Sequence, residues 1–140
     1  YQEKVLCVAR PGHPILDAPR LDPARLSAWP ILYPPPGAAI RPLLERWCLA
    51  QGIAEFPDRI EVISGAFGRN YLRNSEALWF ISEGVVARDL ADGQLVALPL
   101  DMGLTAGPVG LMDLPQGAPS RSHQLFASAA QDAACALPFP

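Results

Sequence analysis

Between residues 29 and 98, short apolar runs alternate with amphipathic stretches, and few folds accept that alternation. Trp29-Pro30-Ile31-Leu32-Tyr33 reads as a short strand, with its proline near the start, where a missing N–H is tolerated. It stops at Pro34-Pro35-Pro36-Gly37. Ile40, Leu43, Leu44, Trp47 and Cys48 then recur at helical spacing and define one buried face. Arg41 and Glu45 lie one turn apart on its outer side, and Gly52 is a natural C-terminal stop. Ile60 to Ile63 reads as a strand. Ser64 can cap a helix over residues 65–73, with Phe67 and Tyr71 on one face. Ala77 to Ile81 is the next strand. Ser82-Glu83-Gly84 opens a helix through Leu90 that closes at Asp92-Gly93, and Leu95 to Leu98 is a strand ended by Pro99. Strand and helix alternating in this way predict an α/β fold with a mainly parallel sheet, flanking helices and right-handed crossovers.

The flanks carry weaker patterns. Val5 to Ala9 reads as a buried strand that ends at Arg10-Pro11-Gly12, and Leu21 to Ala28 holds one helical turn. Pro108 to Leu114 predicts one more strand. Pro119 opens a last helix with Leu125, Phe126, Ala129 and Ala133 inward, and Pro138 ends it. Most of the 16 prolines fall singly between apolar segments, where they act as punctuation.

The composition narrows the function classes. Half the residues are hydrophobic and 18% are charged, as in ordinary soluble globular chains. A formal net charge of −3 with scattered arginines argues against direct nucleic-acid contact by this segment. No apolar run reaches the roughly 18–20 residues of a membrane helix, and Tyr1-Gln2-Glu3-Lys4 has no signal-peptide plan. Cys7, Cys48 and Cys135 lack the spacing of a zinc site and read as small apolar residues in a reducing cytoplasm; a redox-sensing thiol would need a basic, exposed setting. No nucleophile elbow, P-loop or dinucleotide fingerprint occurs. Asp22 and Glu61 have no evident partners, His13 reads as structural, and His123 lies exposed on the last helix. These points argue against an enzyme, a metal site and a cofactor.

Open parallel sheets bind ligands at strand C-terminal ends, where helix N-termini favour carboxylates through free N–H groups and the helix dipole. Three strand-to-helix junctions qualify: Pro36-Gly37-Ala38-Ala39 before the helix that holds Arg41, Ser64-Gly65-Ala66-Phe67, and Ile81-Ser82-Glu83-Gly84. Each has a second reading. Gly37 either allows a turn or lets a ligand approach. Ser64 is a cap, which does not exclude ligand contact. Phe67 belongs either to the core or to a cleft. Ser82 either donates to a carboxylate or caps its helix. Arg41 and Arg69 either pair with an anionic effector or are solvated.

The order of these pieces resembles the C-terminal two-thirds of the effector-binding domain of LysR-type transcription regulators. The resemblance runs through Val8-Ala9-Arg10-Pro11-Gly12-His13-Pro14, Leu26-Ser27-Ala28-Trp29-Pro30-Ile31-Leu32-Tyr33-Pro34, Ala77-Leu78-Trp79-Phe80-Ile81-Ser82, Leu90-Ala91-Asp92-Gly93-Gln94-Leu95-Val96-Ala97-Leu98-Pro99 and Gly107-Pro108-Val109-Gly110-Leu111. Residues 33–42 and 75–87 look most like the regulators of protocatechuate catabolism. The chain departs from the family's pattern at the fourth strand, where Arg73-Asn74-Ser75-Glu76 replaces a Gly-rich entry and Ser82 replaces a proline.

The resemblance implies a periplasmic-binding-protein-like fold of type 2. Residues 1–10 would be part of an outer lobe and a crossover strand, 11–103 an inner effector-binding lobe, and 104–140 the return crossover and C-terminal helix of the outer lobe. It places effector contacts at the same three junctions. It implies a cytoplasmic ligand-sensing domain that binds a small carboxylate, works as a homo-oligomer (dimer or tetramer), touches no membrane and reaches DNA only through an N-terminal domain missing from these residues. The alternatives are a lobe of a periplasmic solute-binding protein and an oligomerisation module. With part of the outer lobe missing, residues 1–10 and 104–140 are expected to lack partners for their apolar faces, and 11–100 to form the compact part.

Overall fold

In chain order the strands are β1 (Gln2–Glu3), β2 (Val5–Ala9), β3 (Ile31–Tyr33), β4 (Arg59–Glu61), β5 (Leu78–Ser82), β6 (Val96–Ala97) and β7 (Gly107–Pro108). The helices are α1 (Arg41–Ala50), α2 (Gly65–Arg73), α3 (Glu83–Ala91) and α4 (Arg121–Cys135). The structure, a computed structural model, describes residues 1–18, 20–112 and 119–136. The chain divides into two compact units: Lys4–Ala106, and Tyr1–Glu3 with the chain from Gly107 onward.

The larger unit is built on a five-stranded sheet in the order β4-β3-β5-β2-β6. β3 pairs parallel with β4 and with β5, as the alternation of strand and helix predicts. The sheet is mixed, because β2 pairs antiparallel with both β5 and β6. Alternating side chains of the strands feed two separate clusters. Val5, Cys7, Ala9, Ile31, Tyr33, Leu78 and Phe80 face Leu44, Trp47 and Cys48 of α1. Leu6, Val8, Leu32 and Trp79 face Leu72 of α2 and Val86 of α3. The result is three layers, with α1 on one face and α2 and α3 on the other. Every residue of β2 is buried, as a strand covered on both faces requires. This corrects the expectation that residues 1–10 lack apolar partners: for Val5–Ala9 the partners are α1, α2, α3 and the neighbouring strands.

Close packing sets the composition of α2. An added Cβ at Gly68 would stand 2.7 Å from the Trp79 indole, so the helix meets β5 through a residue with no side chain. Buried polar groups are matched. His13 Nδ1 accepts from the Ile15 N–H at 3.0 Å, and Nε2 lies 3.0 Å from the Glu76 carbonyl, so the neutral ring with its proton on Nε2 satisfies both. The ring also meets Trp29 edge-on at 4.6 Å between centroids. Thr105 Oγ1 accepts from the Val5 N–H at 3.0 Å and donates to the Met102 carbonyl at 2.7 Å, which ties the end of this unit to its first strand.

In the smaller unit β1 pairs antiparallel with β7, and the Val109 N–H donates to the Tyr1 carbonyl. The strand expected over Pro108 to Leu114 is confined to Gly107–Pro108; residues 109–112 are not in a strand, and 113 and 114 lie outside the described residues. Ser120 caps α4 by accepting from the His123 N–H. The expected inward face of α4 is corrected. Leu125 is 63% and Phe126 70% exposed, and Ala129 and Ala133 are exposed as well. The proline expected to end this helix, Pro138, lies outside the described residues.

Candidate functional site

Because β3, β4 and β5 are parallel neighbours, their C-terminal ends reach the same edge of the sheet. Tyr33 lies opposite Glu61, and Leu32 opposite Trp79. The chain therefore leaves the sheet at three adjacent points, toward α1, α2 and α3. β3 feeds the helix on one face, and its neighbours β4 and β5 feed helices on the other. Strand ends with diverging connections of this kind are where open α/β sheets bind ligands.

The three junctions differ in detail. After β3, the Ala38 N–H donates to the Pro35 carbonyl at 3.1 Å, closing a tight turn in which Gly37 has φ +86°. The positive φ is what requires glycine, since a Cβ there would meet open space. Pro36 and Gly37 are exposed and Ala38 is partly covered. No side chain caps α1. After β4, Ser64 Oγ accepts from the Phe67 N–H at 3.2 Å, so Ser64 is a cap, whatever else it does. Phe67 is outside the core at 45% exposed and stacks on Tyr71 with centroids 5.5 Å apart. After β5, Ser82 makes no side-chain cap bond, while the Glu83 N–H donates to the Lys4 carbonyl. Ile81 is partly buried against the cluster under α2 and α3. Exposed Ile63, next to the Ser64 cap, was not singled out in the sequence, where it reads as the end of a strand.

Neither arginine is simply solvated. Arg41 bonds Glu45, Glu61 and the Pro34 carbonyl. The bond to Glu45, then that to Glu61, raises its already high pKa further. Arg69 bonds the Val85 carbonyl and Asp89, a nearly buried carboxylate that no sequence motif marks. Glu61, which had no evident partner in the sequence, is thus half of an ion pair. Asp22 caps a short turn by accepting from the Ala24 N–H.

A pocket of about 270 Å³ lies elsewhere, beside the C-terminal half of α1, with Tyr33, Cys48, Ile53 and Phe56 as its floor and Glu45, Glu55 and Arg59 at its rim. None of Pro36, Gly37, Ala38, Ser64, Phe67, Ile81 or Ser82 lines it. It contains no helix N-terminus, so the converging strand ends are the better candidate for an anion. Burial, then the charge of Cys48, raises the Tyr33 phenol well above its usual range. Among the described residues, no group of three or more His, Cys, Asp or Glu side chains is placed to hold a metal ion, and no helix is long and apolar enough to cross a membrane.

A family model for the LysR substrate binding domain matches residues 1–135. The chain is 45% identical over 134 residues to the HTH-type transcriptional regulator PcaQ of Agrobacterium fabrum, covering 96% of this chain and 43% of that protein. It is 32% identical over 111 residues to the HTH-type transcriptional regulator GalR of Pseudomonas putida, covering 79% of this chain and 28% of that one. Among solved structures, the CcmR regulatory domain of Synechocystis PCC6803 in complex with 2-PG matches with a TM-score of 0.72 at 14% identity, covering 99% of this chain and 66% of that one. The apo regulatory domain of HypT from Salmonella typhimurium matches at 0.64 and 15% identity, covering 98% and 64%. The two structures show the fold. The chain spans less than half the length of the curated relatives it matches.

Proposed function

The chain belongs to the LysR substrate-binding domain family, and on that premise we propose that it is the ligand-sensing part of a LysR-type transcription regulator and binds a small carboxylate. The site is the sheet edge where β3, β4 and β5 give way to α1, α2 and α3, made by Pro36, Gly37, Ala38, Arg41, Ser64, Phe67, Ile81 and Ser82. The observation that carries this reading is the parallel register that brings the C-terminal ends of β3, β4 and β5, each followed by a helix, to one edge of the sheet. Each helix start favours an anion by about 0.3–1 kcal/mol, and their effects add at one edge. The effector class is an intermediate of the protocatechuate pathway. The resemblance at residues 33–42 and 75–87 and the 45% identity to PcaQ support that class.

In this reading the larger unit, Lys4–Ala106, carries the effector site, and Tyr1–Glu3 with the chain from Gly107 onward belong to a second lobe. The regulator is a cytoplasmic homo-oligomer that reaches DNA through a domain outside this chain, and it catalyses no reaction. The test is thermal unfolding of the full-length regulator with protocatechuate, and with dicarboxylic and tricarboxylic acids. A ligand at 100 times its Kd stabilises by about 2.7 kcal/mol. A shift with other carboxylates but with no acid of the protocatechuate pathway would remove the effector class, and no shift with any carboxylate would remove the site. Exposed Leu125 and Phe126 on α4 favour a second role in subunit pairing. Light scattering tests it, and a strict monomer would end that reading.

A further inference from the structure

Both arginines that stand near the candidate site are already held by carboxylates of the chain, and each spans two junctions. Arg41 Nε donates to Glu45 Oε1 at 2.8 Å. Its Nη1 donates to Glu61 Oε1 at 2.7 Å and to the Pro34 carbonyl at 3.2 Å. Its guanidinium carbon lies 5.4 Å from the centre of the Tyr33 ring. Pro34 follows the last residue of β3, and Glu61 is the last residue of β4. One guanidinium therefore ties the first junction to the second.

Arg69 does the same for the second and third. Its Nε donates to both oxygens of Asp89, at 3.1 and 2.8 Å, and its Nη2 donates to the Val85 carbonyl. Its Nη1 lies against Gly65, where a Cβ would stand 2.9 Å away. Gly65 opens α2, and Val85 is in the first turn of α3. Asp89 is only 9% exposed, so an effector that drew Arg69 away would leave a nearly buried carboxylate without its cation. The two arginines thus link elements at all three junctions, with their own charges matched by Glu45, Glu61 and Asp89.

We propose that Arg41 and Arg69 are positioning residues of the effector site: they set the separation of the three junctions and leave the effector's charge to the helix starts. The proposal rests on the effector-site reading above. It differs from a direct-ligand role in the sign of one result. An arginine that binds the effector is freed when its competing carboxylate is neutralised, so Asp89→Asn and Glu61→Gln would tighten anion binding. A brace is broken by the same changes, so binding weakens.

The experiment uses the full-length regulator, with protocatechuate and citrate as probes in calorimetry and with backbone amide exchange measured without ligand. Asp89→Asn, Glu61→Gln and Arg69→Met should each weaken probe binding roughly five- to tenfold, and Asp89→Asn combined with Arg69→Met should be no weaker than either alone, as for two ends of one interaction. Amides at residues 66–68 and 84–86 should exchange faster in Arg69→Met, and Arg69→Lys, which cannot reproduce the fork, should not restore them. Tighter binding in either carboxylate variant, or wild-type affinity in both, overturns the proposal. If Asp89→Asn does not fold, the partly exposed Glu61 supplies the same test for Arg41. If the wild-type regulator binds neither probe, the effector site fails for these anions, and the braces are judged by exchange alone: unchanged rates at 66–68 and 84–86 overturn them.

Discussion

Gly68 of α2 lies flat against the Trp79 indole, with room for no more than a hydrogen between them: a Cβ at position 68 would stand 2.7 Å from two carbons of the ring. Trp79 is fully enclosed in the central strand β5 and cannot swing aside. Gly68→Ala should therefore destabilise the domain by about 1–3 kcal/mol, against the usual gain for alanine in a helix. Urea unfolding followed by tryptophan fluorescence checks this, and an unchanged midpoint would show that α2 can shift away from the sheet.

His13 joins three segments through one neutral ring. His13→Ala removes the acceptor for the Ile15 N–H, the donor to the Glu76 carbonyl and the edge-on contact with Trp29. The expected loss is about 2–4 kcal/mol. His13→Asn can still accept from Ile15 in a short turn but cannot reach Glu76, so its stability should fall between alanine and wild type. Unfolding midpoints of the three proteins give the order.

Thr105 is a polar group in an apolar setting with both hydrogen-bonding roles used. Thr105→Val keeps the shape and strands the Val5 N–H, while the Met102 carbonyl keeps the backbone N–H of residue 105 as its donor. It should cost about 1–3 kcal/mol, more than a change of shape alone would explain. Thr105→Ser should recover most of that. A valine variant as stable as wild type would mean that water reaches the Val5 amide.

The buried thiols predict a stability loss at high pH. Burial is the main cause that pushes the Cys48 thiol from 9.0 up to about 11. Burial, then the neighbouring Cys48, pushes Cys7 up as well. The folded state holds a proton that the unfolded chain releases, so stability from Cys48 is complete below about pH 9 and is lost as pH rises toward about 11. Urea midpoints measured from pH 8 to 11 should fall, and Cys48→Ala should make the fall shallower. At pH 8 a thiol reagent should modify exposed Cys135 and spare Cys7 and Cys48 until the protein unfolds. Cys135 is exposed and does not share the apolar setting of Cys7 and Cys48.

What the sequence makes legible here is what neighbours along the chain decide. Ser64 is read as a cap because its acceptor sits three residues from the amide it serves, and α2 follows it as expected at residues 65–73. The buried face of α1 is written in its own spacing. The direction of β2 is not legible, because five apolar residues fit a parallel or an antiparallel pairing equally well, and the deciding partners are β5 and β6. The link between Arg41 and Glu61 crosses 20 residues and exists only once β3 and β4 lie side by side. The face of α4 misleads because helical periodicity marks a side that can be covered, not what covers it. The three junctions were found as positions in the sequence; the pairwise bracing between them appears only with the sheet assembled.

The place of β2 bears on how the chain is made. Within the five-stranded sheet this strand comes first along the chain, and the two strands it lies between, β5 and β6, come last. Until they are made, Val5–Ala9 lacks both strands it pairs with in the folded sheet, and an unpaired apolar strand is the kind of segment that pairs with other chains. The strands that later form a parallel set cannot shield it while they are still inside the exit tunnel. The five-stranded sheet can therefore close only when its last strand, β6, has been translated.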